Sequence, residues 1–188
     1  DWLLAEGELP ERIALIPNGV DTDRLVPRDR AEARTQVAPH LQGKFVVGYF
    51  GRFSPEKAPD AFVRIAAHFQ GDARFQFLMG GVGPEQPAVR ALVQQLQLEN
   101  QLTLLGMVDV QQWIPCCDVV VVPSRMDGRP NVILESFALG VPVIGSSVGG
   151  LPELIQDQET GFVCAAEDLP GFAGGIRRLH AAPELARR

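Results

Sequence analysis

Apolar residues fall along this chain in short, nearly unbroken runs. Phe45–Phe50 (FVVGYF), Phe75–Met79 (FQFLM), Leu102–Leu105, Val119–Val122 and Val141–Gly145 are mostly Val, Leu, Ile and Phe, with little polar alternation. Runs of this kind read as strands covered on both faces, the pattern of a parallel sheet. Arg12–Ile16 and Gly161–Cys164 are further short strand candidates. Between the runs the period changes to that of a helix. Phe62, Ile65, Ala66 and Phe69 predict an amphipathic helix over Pro59–Phe69. Helices are also predicted over Asp29–Val37, Gln86–Gln97, Asn131–Ala138 and Leu169–His180, with shorter pieces at Val110–Ile114 and after Gly149-Gly150. Gly140 marks the C-terminal end of the 131–138 helix. Strand and helix alternate throughout, so the expected fold is α/β: a Rossmann-like parallel sheet covered by helices on both faces.

The punctuation is positional. Gly51-Arg52, Gly80-Gly81, Gly106, Pro123-Ser124 and Gly145-Ser146 each follow a predicted strand directly. In an open parallel sheet these carboxyl ends share one edge, where ligands bind at the crevice where strand order reverses. That edge would gather Arg52 and Lys57 from the loop GRFSPEK, Gly81 from GGVG, and Asp127 with the first turn of the 131–138 helix. Glu135 lies about one turn inside that helix, eight positions after Asp127. Two cations and a helix N-terminus suit a diphosphate without metal. Two carboxylates suit the hydroxyls of a ribose and of a sugar, so the constellation describes a nucleotide sugar. Pro130 lacks an N–H, which leaves the amides of Asn131 and Val132 as donors. The acidic triplet at Asp21 and Asp23 could hold a divalent ion, but with no other acid or His near it in sequence it reads as turn and capping chemistry.

The 188 residues suffice for one domain with a sizeable core, taken as 11–188, with residues 1–10 (Trp2, Leu3 and Leu4 among them) as a hinge or the tail of a preceding element. A net charge of −6 argues against nucleic-acid binding through the overall field, so an anionic ligand needs a local cationic pocket. No apolar run approaches the ~20 residues of a membrane span, and no signal peptide opens the chain. The start at Asp1 suggests a piece of a longer protein. Cys116, Cys117 and Cys164 form no CxxC pair and are expected to be reduced, consistent with a cytoplasmic location.

Taken in order, the segments PNGVD (Pro17–Asp21), GRFSPEK (Gly51–Lys57), GGVGPE (Gly80–Glu85), LTLLGMV (Leu102–Val108), the long run Cys117–Ile144 and VGGLPELIQDQETGF (Val148–Phe162) make the chain resemble a known family. It is similar to the C-terminal, donor-binding half of GT-B retaining glycosyltransferases of the "glycosyl transferases group 1" family. The resemblance implies that Arg52 and Lys57 neutralise the donor diphosphate and stabilise the leaving nucleoside diphosphate. It implies that Glu135, the second acid of the family's E-x7-E motif, binds the ribose. Asp127 stands at the first acid, which contacts the transferred sugar; the family usually has Glu there. Gly51, Gly81 and Met107 line the donor, with the base near Gly106–Val108. The implied mechanism is front-face substitution with retention, with no metal and no cofactor beyond the nucleotide-sugar substrate. An N-terminal acceptor domain of the same protein would then be a partner outside this chain, and membrane association would run only through it. This chain alone would bind nucleotide without catalysing transfer. Two other functions fit the same residues: a non-catalytic nucleotide-binding or regulatory module, and a nucleotide-sugar epimerase of the GT-B fold.

Overall fold

The computed structural model describes residue 7 and residues 9–14 and 16–182; Trp2, Leu3 and Leu4 of the expected hinge lie outside them. Six parallel strands form one sheet: β1 (Phe45–Phe50), β2 (Phe75–Gly80), β3 (Leu102–Gly106), β4 (Val119–Val122), β5 (Val143–Ser146) and β6 (Gly161–Cys164). Their order is β3-β2-β1-β4-β5-β6. The helices are α1 (Arg30–Val37), α2 (Pro59–Ala67), α3 (Gln86–Gln95), α4 (Val110–Trp113), α5 (Asn131–Ala138), α6 (Leu151–Leu154) and α7 (Leu169–Ala181).

Burial explains the unbroken apolar runs. Val47 and Tyr49 of β1 and Val119 and Val121 of β4 enter one core with Phe62 of α2 and Phe172 of α7. Val46, Phe50, Val120 and Val122, the alternate residues of the same strands, enter a second core with Ile133 and Leu151 on the other face. Each central strand is thus apolar on both sides because both sides are covered.

Local chemistry sets the element ends. Pro130 stands at the N-cap of α5, and Gly140 follows the helix at φ +72. Asp29 caps α1, its side chain accepting from the Glu32 amide. The fifth strand begins at Val143 rather than Val141, because Val141 donates back to Ser136 and Pro142 has no N–H for the ladder. The strand expected at Arg12–Ile16 does not form among the described residues. Pro10–Arg12 is instead a 3-10 turn. Ile16 is 84% exposed, and among the described residues of the segment none is fully buried to hold it extended.

At the opposite, amino edge of the sheet, Asp118 ties α1 down. Its carboxylate accepts from Arg30 at 2.6 Å, from Arg34 at 2.7 Å and from the Val46 amide at 2.6 Å. Arg34 also donates to the carbonyls of Cys116 and Lys44. Both members of the Arg34–Asp118 pair are nearly buried; removing Arg34 leaves Asp118 with the more exposed Arg30 as its remaining cation and takes a donor from the Cys116 and Lys44 carbonyls. Arg34→Ala is expected to lower stability by about 3 kcal/mol, read as a reduced midpoint in urea unfolding.

Candidate functional site

The chain leaves β1 toward β2 and β3, then returns on the other side of β1 to form β4. The carboxyl ends of β1 and β4 therefore flank the point where strand order reverses. A cavity of about 310 Å³ opens there, lined among others by Tyr49, Arg52, Lys57, Asp127, Asn131 and Glu135. A second recess of about 550 Å³ adjoins it, shares Gly51, Arg52 and Val110 with it, and reaches Gly81 and Met107. All nine residues singled out from the sequence line one recess or the other, Val132 in the first.

The cationic loop follows β1. Arg52 is exposed, and among the described residues no acid or hydrogen-bond acceptor engages its guanidinium. Lys57 ends a 3-10 turn over Pro55–Lys57. The Tyr49 hydroxyl, beneath the loop, lies 3.0 Å from the Arg52 carbonyl and 3.4 Å from that of Lys57. Burial above all, then Glu56, Asp60 and Asp127, pushes this hydroxyl well above the usual range, so it remains a donor.

Asp127 is not an open acceptor. Its Oδ2 lies 2.5 Å from Lys57 Nζ, and the Ser124 hydroxyl is 3.3 Å from the same oxygen. The side chain is only 7% exposed, against 30% for Lys57. Both carboxylates line the cavity, as the sequence places them, but one Asp127 oxygen is already committed to the Lys57 ammonium. Glu135, by contrast, has no protein donor among the described residues. It is half-buried, and loss of hydration pushes its carboxyl up from the ordinary range.

At the start of α5 the Asn131 and Val132 amides have no acceptor among the described residues, as the first turn of a helix dictates. The Asn131 side chain accepts from Asn18 Nδ2 at 3.1 Å, so the Pro17–Gly19 turn docks on this helix start. The glycine amides of these loops are used within the protein. Gly51 donates to Gly80 and Gly81 to Gly106, so neither N–H can serve a ligand. A Cβ on Gly81 would lie 1.9 Å from the Gly51 carbonyl, which makes this glycine a requirement of loop-on-loop contact. The acidic triplet is a turn: Asp21 Oδ1 accepts from the Asp23 amide at 3.1 Å. Arg129 lies outside the lining of both recesses, 4.0 Å from the exposed Glu153, with its Nε buried and unpartnered. Cys116 and Cys117 are buried and Cys164 is partly buried. Among the described residues no helix is long and apolar enough to cross a membrane.

The parallel six-stranded sheet and its crevice make this an α/β protein of the Rossmann-like class. Residues 44–182 match the family model "Glycosyl transferases group 1". The chain belongs to that family, and its fold is that of the C-terminal domain of a GT-B glycosyltransferase. It is 33% identical to the D-inositol 3-phosphate glycosyltransferase of Actinosynnema mirum, over 94% of this chain and 45% of the relative. Anabaena HepE, solved in complex with UDP, superposes with a TM-score of 0.87 at 26% identity, over 98% of this chain and 52% of that one; it has also been solved with UDP-glucose. The C-terminal domain of a Francisella tularensis glycosyl transferase group 1 family protein shares the fold, with a TM-score of 0.80 at 24% identity over 90% of this chain and 91% of that one. The chain thus spans about half the length of its full-length relatives.

The upward shift at Glu135 has a stability consequence. A carboxyl that binds its proton more tightly folded than unfolded weakens the folded state as pH rises through that window. Glu135→Gln is therefore expected to raise the thermal midpoint at pH 7. The gain should vanish once pH falls below the ordinary glutamate value of about 4.3, as checked by calorimetric melts across pH.

Proposed function

We propose that this chain is the donor-binding domain of a retaining glycosyltransferase that moves a sugar from a nucleoside-diphosphate sugar to an acceptor hydroxyl. The observation that carries the reading is convergence at the β1/β4 crevice. Arg52, Lys57, the helix amides of Asn131 and Val132 and the Glu135 carboxylate meet there, and among the described residues all but Lys57 lack a protein partner. In a protein of net charge −6, such a pocket is a local anion site and not part of a general field.

In this reading the diphosphate lies between Arg52, Lys57 and the start of α5. Arg52 supplies a planar fork for its oxygens and Lys57 a point charge. Both counter the charge that develops on the departing nucleoside diphosphate, so they stabilise the transition state more than the ground state. Glu135 accepts the ribose hydroxyls as an ionised carboxylate. The second recess, floored by Gly81 and edged by Met107, takes the base. Asp127 keeps one oxygen on Lys57 and offers the other to the transferred sugar; it positions and does not attack. With no metal in the scheme, the leaving phosphate assists the incoming hydroxyl from the same face, which retains configuration. Acceptor contacts belong to a further domain of the whole protein, so this chain alone binds donor and transfers nothing. UDP is the nucleotide we favour, because the structural neighbour HepE is seen with UDP and UDP-glucose.

Calorimetric titration of UDP, GDP and ADP tests this directly. UDP is expected to bind with the same affinity in EDTA as without it. Each charge-assisted contact contributes about 1.5–3 kcal/mol, so Arg52→Ala or Lys57→Ala should each weaken binding roughly ten- to a hundredfold, and the double variant should abolish it. Failure of all three nucleotides to bind, both to this chain and to the full-length protein, would overturn the reading.

A further inference from the structure

Arg125 gathers more partners than any other side chain near the crevice, yet it lines neither recess. Its Nη1 and Nη2 grip the two oxygens of Asp60 in a fork, at 2.8 Å each. Nη1 also reaches the Pro55 carbonyl at 3.2 Å, and Nε donates to Glu167 at 2.6 Å. The backbone continues the grip: the amides of Arg125 and Met126 both donate to the Glu56 carbonyl, at 2.8 and 3.2 Å. Three segments are joined in this way: the 3-10 turn with the start of α2, the loop between β4 and α5, and the loop between β6 and α7.

Stability alone is a poor account of this cluster. Arg125 and Asp60 are each 37% exposed and Glu167 is 54% exposed. Solvent weakens the charge attraction at this exposure, so the fixed two-pronged geometry of the fork matters more than its charge. Geometry is a better account. Lys57 comes one residue after Glu56, and Asp127 comes one residue after Met126. The Glu56 carbonyl and the amides of Arg125 and Met126 are thus the backbone seam beside the Lys57–Asp127 contact. The guanidinium clamps the outside of that seam.

We propose that Arg125 is a positioning residue of the donor site. It holds the turn that carries Lys57 against the loop that carries Asp127, and so sets where the lysine ammonium stands. The inference deepens the donor-site reading and rests on it for the effect on nucleotide. The effect on Lys57 does not depend on that reading.

The chain has only two lysines, Lys57 and Lys44. Lys44 donates to the Ala73 carbonyl, away from the site, and serves as an internal reference. Limited acetylation read by mass spectrometry therefore reports the freedom of Lys57 directly. Arg125→Ala is expected to raise Lys57 labelling relative to Lys44 by about two- to fivefold, the worth of a loosened partly exposed pair. It should also weaken UDP binding about tenfold, and in a Lys57→Ala background it should weaken UDP binding no further. Arg125→Lys, which cannot fork, should not restore either readout. Asp60→Asn, which removes the fork's charged partner and leaves Arg125 in place, should reproduce both effects and stands in if Arg125→Ala does not fold. Unchanged Lys57 labelling would overturn the proposal whether or not UDP binds. Additive losses of affinity in the double variant would overturn it too. Released Lys57 in a protein whose wild type binds no nucleotide would leave the positioning role standing and remove the donor reading.

Discussion

Backbone touches backbone along the carboxyl edge of this sheet, and the site depends on that closeness. A Cβ on Gly149 would fall 1.7 Å from the Asp127 carbonyl, and one on Gly150 would fall 2.1 Å from that of Gly128. Gly149 also holds φ +52 and Gly81 φ +145, conformations that residues with side chains seldom adopt. The loop after β5 is thereby pressed on the loop that carries Asp127, and the loop after β2 on the loop that carries Arg52. Each charge-bearing loop has a glycine-bearing loop behind it. Rigidity is supplied from outside the cavity, which leaves the cavity walls free to carry side chains chosen for chemistry.

The legible parts of this structure are those written locally. Apolar runs gave the strands because both faces of β1 and β4 are covered, and α5 was readable from Pro130 and Gly140 because caps are neighbours of the helix they end. The segment Arg12–Ile16 misleads for the same reason: its residues favour a strand, but none of those described is buried by a neighbour. The Lys57–Asp127 pair joins residues 70 apart, and the Asn18–Asn131 contact joins residues 113 apart. Such meetings depend on β4 lying beside β1, a fact of strand order that no local pattern carries. Gly81 was legible as a residue of the ligand edge, but what approaches it in the structure is the Gly51 carbonyl.

The two cations of the crevice are not equivalent. Among the described residues Arg52 stands exposed and unpaired, so in the proposed reading a phosphate meets it without displacing a protein partner. Lys57 already serves Asp127, and an incoming anion must either displace that carboxylate or share the ammonium with it. An ammonium has three donors in different directions, so sharing is geometrically open. Sharing brings a carboxylate close to a phosphate, which costs affinity for the ground state. That cost is tolerable if the lysine matters most when the bond to the leaving phosphate breaks, because charge then increases on the side facing Lys57. A pre-positioned ammonium needs no rearrangement at that moment.

The same logic bears on the choice of Asp over Glu at position 127. A longer acid reaches farther into the crevice and can turn toward a sugar without a partner at its base. The aspartate is short enough to stay 7% exposed against Ser124 and Lys57, so its first duty is to fix a neighbour. In the proposed mechanism this leaves the sugar contact to the remaining Asp127 oxygen, while the helix amides of Asn131 and Val132 serve the diphosphate. It also makes the placing of Lys57 depend on a shorter tether, and a shorter tether tolerates less movement between the two loops it joins. A clamp across those loops, such as the fork of Arg125 on Asp60, is what that geometry requires.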